Sequence, residues 1–127
     1  MVATSLRFPC PCCGHLLFSE PPGSYEICDV CYWEDDAIQL RWPNLAGGAN
    51  RTSLVESQRN YSTLGAMEER FVGMVRDATP AEARERAWRA IDTRLDSFET
   101  EWPSTTPWPE DLTSLYWWRP TFWRARV

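Results

Sequence analysis

Lysine is absent, and all 13 basic side chains are arginine. That excludes a side-chain Schiff base, a phosphate-loop lysine and any lysine-dependent catalysis. Histidine is almost absent: His15 stands alone, so a hydrolase that needs an imidazole base would have to use that residue. A metal ligand, a group supporting one, or a strand histidine with a single hydrogen bond are its other possible roles. No apolar run approaches the ~20 residues of a membrane-spanning helix, and no apolar leader core precedes position 10. The expectation is a cytoplasmic chain with no membrane partner, in a reducing compartment where thiols serve metals rather than disulfides. A broad basic face is also missing. The formal charge is −5, which argues against a general nucleic-acid binder.

What the chain does have is cysteine, concentrated in one place. Cys10-Pro11-Cys12-Cys13-Gly14 is followed, fourteen residues on, by Cys28-Asp29-Val30-Cys31. Each run contains a C-x2-C step, whose tight turn sets two sulfurs on one side. Two such turns facing each other close a tetrahedral shell, so Cys10, Cys13, Cys28 and Cys31 are the candidate ligands of a Zn²⁺ ion. A redox C-x-x-C pair and plain buried or reactive thiols are the alternatives. Cys12 is left over, and its spacing puts it one residue off the metal, as a small semi-exposed hydrophobe in the turn. Loading the cage would move the net charge to about −7. The first fifty residues are too few to fold on an apolar core alone, and they contain all five cysteines.

Around the knuckles the pattern predicts short strands over Leu6–Phe8, His15–Phe18 and Ser24–Ile27, the last two joined by the turn Glu20-Pro21-Pro22-Gly23. Glu34-Asp35-Asp36 invites a hard-metal or acid–base reading, but three adjacent carboxylates cannot converge on one ligand. Asp35 or Asp36 as a turn cap, with the rest solvated, is the reading adopted. Tyr32 and Trp33 are placed over the metal knuckle. Ser53-x-x-Glu56 starts a helix at about Leu54, and Gly65 stops it.

The runs Cys10-Pro11-Cys12-Cys13-Gly14, Pro21-Pro22-Gly23-Ser24-Tyr25-Glu26-Ile27-Cys28, Cys31-x-Trp33-Glu34-Asp35-Asp36 and Gly47-Gly48-Ala49-Asn50, followed by Ser53-Leu54, resemble the bacterial cysteine-rich CPCC family over about residues 8–64. The resemblance implies a small zinc-binding module named for its cysteines and carries over no catalytic residue. Asp29-Val30 departs from the proline more usual inside such a knuckle, without touching the ligands.

Beyond the resemblance, Met67, Phe71, Met74, Val75 and Ala78 recur at helical spacing. Thr79-Pro80-Ala81-Glu82 then predicts a helix start, with Ala83, Ala87, Ile91, Leu95 and Phe98 along one face to about Glu101. From Trp102 the texture changes: five of the eight tryptophans fall in the last 26 residues. Core packing or self-association, a partner protein, and stacked single-stranded bases compete for them. Trp108, Trp117, Trp118, Arg119, Trp123 and Arg124 are the candidate partner-binding residues.

The fold class expected is α+β: a zinc-ribbon β-hairpin module over residues 1–50, then a helical segment with a Trp-rich tail over 51–127 packed on it as one structural domain. The function expected is non-enzymatic. A structural zinc site supports a surface that grips another protein, a toxin among the possibilities, or a second copy. A nucleic-acid-binding ribbon using the Arg/Trp tail is the alternative.

Overall fold

The computed structural model describes residues 7–124; Leu6 and Arg126 lie outside them. Its regular elements are short. Strand β1 (Phe8–Pro9) pairs antiparallel with β2 (Leu16–Phe18), with a register irregularity between Phe8 and Pro9. Helix α1 is Ala37–Arg41 and α2 is Leu54–Leu64. Three short 3₁₀ segments follow at Glu69–Met74, Pro80–Glu82 and Leu112–Leu115. They lie against α2, β2 and α1 respectively. A two-stranded hairpin, a few helices and a cysteine cluster make an α+β, zinc-ribbon-like module.

The two knuckles are built alike. In the first, Cys10 N–H donates to His15 O at 2.9 Å, and Gly14 N–H donates back to Cys10 O. In the second, Cys28 N–H donates to Trp33 O at 2.9 Å, and Tyr32 N–H to Cys28 O at 2.7 Å. Both turns close on a left-handed residue, Gly14 at φ 82° and Tyr32 at φ 75°. Glycine meets that requirement without strain. It also has a second reason to stand at 14, since a Cβ there would come within 2.5 Å of the Trp88 ring. Tyr32 bears the left-handed conformation with a side chain, and its ring stacks on Phe71 at 4.2 Å.

Helix α2 begins and ends where its signals predict. Ser53 Oγ accepts from Glu56 N–H at 3.1 Å, and left-handed Gly65 closes the last turn onto Tyr61 O at 3.0 Å. Asp36 is the N-cap of α1, accepting from Ile38 N–H at 2.8 Å and also from Ala49 N–H at 2.9 Å. The crossing is tight, because a Cβ on Gly48 would meet the Asp36 carboxylate at 2.6 Å.

Three expectations do not hold. Ser24–Ile27 is not a strand beside β2. It turns the other way, with Tyr25 N–H donating to Asp35 O and Asp35 N–H to Glu26 O, and a single bridge pairs Ile27 with Glu34. The helical spacing from Met67 yields only the 3₁₀ turn Glu69–Met74, with Met74 exposed. The long helix from Thr79 to Glu101 does not form. Its first turn does, with Glu82 accepting from Thr79 N–H at 2.9 Å, but the chain then runs extended along the hairpin edge. Leu16 N–H donates to Ala83 O at 3.3 Å and Glu85 N–H to Gly14 O at 2.9 Å. These long-range bonds take the backbone groups that a second helical turn would need.

The core is continuous from the knuckles to the tail. Cys10, Cys12, Cys13, Cys28 and Cys31 are buried with Phe18, Trp33, Leu40, Leu54 and Met67, and Leu115–Trp118 close over them. Among the described residues no helix is long and apolar enough to cross a membrane.

Candidate metal centre

Four sulfurs meet where the two knuckles face each other. Cys10 Sγ lies 3.6 Å from Cys31 Sγ, and Cys13 Sγ lies 3.8 Å from Cys28 Sγ. All four ligand atoms lie within 4.8 Å of one another, and each residue is fully buried. With metal–sulfur bonds of ~2.3 Å, the edge of a tetrahedron of thiolates is roughly 3.8 Å. The cage therefore has nearly the dimensions of a loaded site. Four cysteines stand positioned to bind a metal ion, and among the described residues this is the one such cluster of cysteine, histidine or carboxylate groups.

Burial, reinforced by hydrogen bonds with neighbouring cysteines, pushes the Cys10 and Cys31 thiols well up. Burial also works against Cys28, yet hydrogen bonds with Cys10, Cys13 and Cys31 hold it well below the ordinary thiol range. A divalent cation bound among the four sulfurs would favour their thiolate forms.

Cys12 is buried rather than semi-exposed, at 1% exposure. Its thiol is pushed up by burial, with partial relief from Cys31. It stands outside the four-sulfur cage, as its spacing indicated. His15 is no part of the cage either: it bridges to Arg84, and its Nδ1 lies 2.8 Å from Glu82 O. The acidic run divides its labour. Asp36 caps α1, while Asp35 is buried and accepts from Ser24 Oγ at 2.7 Å.

Burial lifts Asp35 from 3.8 to about 6, against the lowering effect of the Ser24 hydrogen bonds. A raised carboxyl binds its proton more tightly in the folded state. Its contribution is complete below about pH 4 and is lost as pH rises through 6. Asp35→Asn is expected to abolish that loss, so that wild type falls by up to ~3 kcal/mol relative to the variant between pH 4 and 7. Denaturant melts of both proteins across that range check it. Taking the difference removes the cysteine contribution, which the two share, and parallel curves would refute the assignment.

Sequence reasoning passed over the residues that brace the cage. Gln39, fully buried, donates through Nε2 to the carbonyls of Leu45, Asn50 and Thr52 at 3.0–3.2 Å and accepts from Asn50 N–H at 3.0 Å. Asn50 clips onto Glu34 through both main-chain groups, at 2.9 and 2.8 Å. The loop after α1 is thus bound to the second knuckle. Arg41, 3% exposed, pairs with Glu99 and donates to Thr106 O at 2.8 Å. Its guanidinium lies 4.4, 4.7 and 4.8 Å from the ring centres of Trp42, Trp108 and Trp123. The one available signal was Arg41-Trp42 beside a tail rich in tryptophan.

The candidate partner residues separate. Trp117 and Trp118 are core, at 4% and 8% exposure, with indole N–H groups donating to Arg89 O and the Glu85 carboxylate. They are withdrawn from any free surface. Arg119 is tied to Glu85, and Trp123 is half-buried against Arg41. Trp108, 42% exposed, and Arg124 remain open.

The chain belongs to the cysteine-rich CPCC family, whose model matches residues 8–82, more than half of its length. The match runs past the helix α2 to Glu82, further than the motif runs alone reach. No curated protein matches the chain at a significant level.

Proposed function

From that family membership and from the cage, we propose that the protein holds one structural zinc ion on Cys10, Cys13, Cys28 and Cys31, and that it works by binding another protein rather than by catalysis. The observation that carries the metal reading is the pair of sulfur–sulfur edges, 3.6 and 3.8 Å, in a fully buried set of four. Structural zinc sites are closed shells of four protein ligands, whereas catalytic ones keep a position open. A tetrahedral sulfur site also suits iron. Zinc suits a closed shell of four buried protein ligands in a structural role. The absence of lysine, the engagement of His15 with Glu82 O, and the use of Asp35 and Asp36 as internal acceptors all favour a non-enzymatic role. Five reduced thiols suit a cytoplasmic setting. With Trp117 and Trp118 in the core, the nucleic-acid alternative loses two of its candidate stacking residues.

Elemental analysis of the purified chain tests the metal: about one zinc per chain is expected. Cobalt substitution is expected to give the intense visible bands of a tetrahedral thiolate site. An iron-loaded, coloured protein would overturn the choice of zinc. Cys12→Ser is expected to keep the full zinc content and to cost about 1–2 kcal/mol, from placing a hydroxyl in an apolar pocket. Loss of zinc from that variant would place Cys12 inside the cage.

A further inference from the structure

On the face that carries α1, two aromatic rings stand out of the surface with an open trough between them. Tyr25 is 55% exposed and Trp108 is 42% exposed. Ala37, Ile38, Glu110 and Leu112 complete a groove of about 390 Å³.

The Tyr25 backbone and the Trp108 ring are held from behind. Tyr25 sits in the left-handed region, at φ 61°, where a side chain is disfavoured. It is fixed there by its own N–H on Asp35 O at 3.0 Å and by the Ser24–Asp35 hydrogen bond. Trp108 is gripped by the Arg41 guanidinium at 4.7 Å and by an edge contact with Trp42 at 5.8 Å. The Trp108 ring is packed in place, so little of its side-chain entropy is lost when something settles against it.

The polar chemistry narrows the occupant. The indoles of Trp42, Trp88, Trp117 and Trp118 all donate within the fold. Among the described residues, Trp108 Nε1 and Tyr25 Oη have no such partner. Two unspent donors on exposed aromatic residues suit a ligand whose backbone carbonyls are free. An α-helix has used its carbonyls internally. A polyproline II segment makes no internal hydrogen bonds, is already ordered, and packs its rings between aromatic ridges. At the rim stands Glu110, whose carboxylate has no ion pair among the described residues, on a chain of net charge −5. That favours a basic residue beside the prolines.

We infer that the groove between Tyr25 and Trp108 is a docking site for a proline-rich segment of a partner protein, carrying an arginine that pairs with Glu110. The inference rests on the reading of this protein as a partner-binding scaffold and names the partner's chemistry.

The test titrates full-length, metal-loaded protein into a fluorescein-labelled peptide of about ten residues in the polyproline II conformation, with one arginine. Two further peptides replace the prolines by alanine or the arginine by glutamate. Saturable binding of the first peptide alone is expected. Tyr25→Gly is the informative variant, because it removes the ring while relieving the backbone, whereas a change at Trp108 would also disturb Arg41. It is expected to weaken binding about thirty-fold. Glu110→Gln is expected to weaken it about two- to fivefold. Absence of binding, equal binding of the alanine peptide, or indifference to Tyr25→Gly would overturn the inference. So would a dimer that Tyr25→Gly separates, which would assign the groove to a second copy. Zinc is measured in every sample. A folded, metal-free protein that still binds would sink the structural-zinc reading and leave the groove standing. A metal-loaded protein that does not bind would do the reverse.

Discussion

Cys10→Ser or Cys28→Ser is expected to unfold at least the first fifty residues, and strong chelation of the wild type to do the same. Forming a structural zinc site in a small domain is worth roughly 10–16 kcal/mol. Whole domains are stable by only about 5–15 kcal/mol. The elements near the cage cannot make up the difference: β1 and β2 have two and three residues, α1 has five, and the space where a larger domain would put aliphatic side chains is filled by sulfur. Removing one ligand also leaves the remaining thiols in a dry pocket without the cation that would let them ionise. Far-ultraviolet circular dichroism and tryptophan fluorescence, read alongside metal content, make the measurement. Trp33, fully buried beside the second knuckle, is expected to shift to the red as the cage opens. A protein that keeps its spectrum after chelation, with much less than one metal per chain, would sink the structural-zinc reading.

The second large effect is expected far from the sulfurs. Arg41→Met should cost about 3–5 kcal/mol, the usual penalty for breaking one side of a buried ion pair. The Arg41 side chain is 1% exposed and that of Glu99 7%, so the abandoned carboxylate has little water to turn to. The methionine also gives up the hydrogen bond to Thr106 O and the attraction of three indole faces. Arg41→Lys is expected to recover only part of the loss, because an ammonium cannot serve Glu99 and Thr106 with one planar fork. Chemical denaturation of the metal-loaded variants gives the values. A double variant with Glu99→Gln should be less damaged than the sum of its parts. If Arg41→Met costs no more than a surface substitution, the tail is not anchored through this residue.

The cage was legible in the sequence because its information is local. C-x2-C fixes a turn, the following left-handed residue closes it, and two copies close a shell. The same holds for Ser53 and Gly65 at the ends of α2 and for Asp36 at the start of α1, where one side chain or one φ angle carries the signal. Failure came where a local signal was complete but outbid. Thr79-Pro80-Ala81-Glu82 makes its turn, and Arg76 then holds the Glu82 carboxylate at 2.7 and 2.9 Å, well below the usual acidic range at about 2. From Ala83 onward the hairpin edge, with Gly14 and Leu16 as pairing partners, claims the backbone. Trp88 lies on Gly14 and donates to Pro11 O. No periodicity within residues 83–98 encodes a partner some seventy positions earlier. The tail divided for the same reason. Composition marks it as aromatic, and only the tertiary contacts decide that Trp117 and Trp118 go inward while Trp108 stays out.

Leu115–Trp118, which share the buried core with the sulfurs, follow the ligands by most of the chain's length. During synthesis the thiols therefore leave the ribosome long before the aromatic residues that complete their core, so a metal ion can reach them while they are still open to water. In the finished molecule an exchanging metal has no such door. Loss of a bound ion is then expected to be slow in the intact chain and faster in one that stops before Leu112.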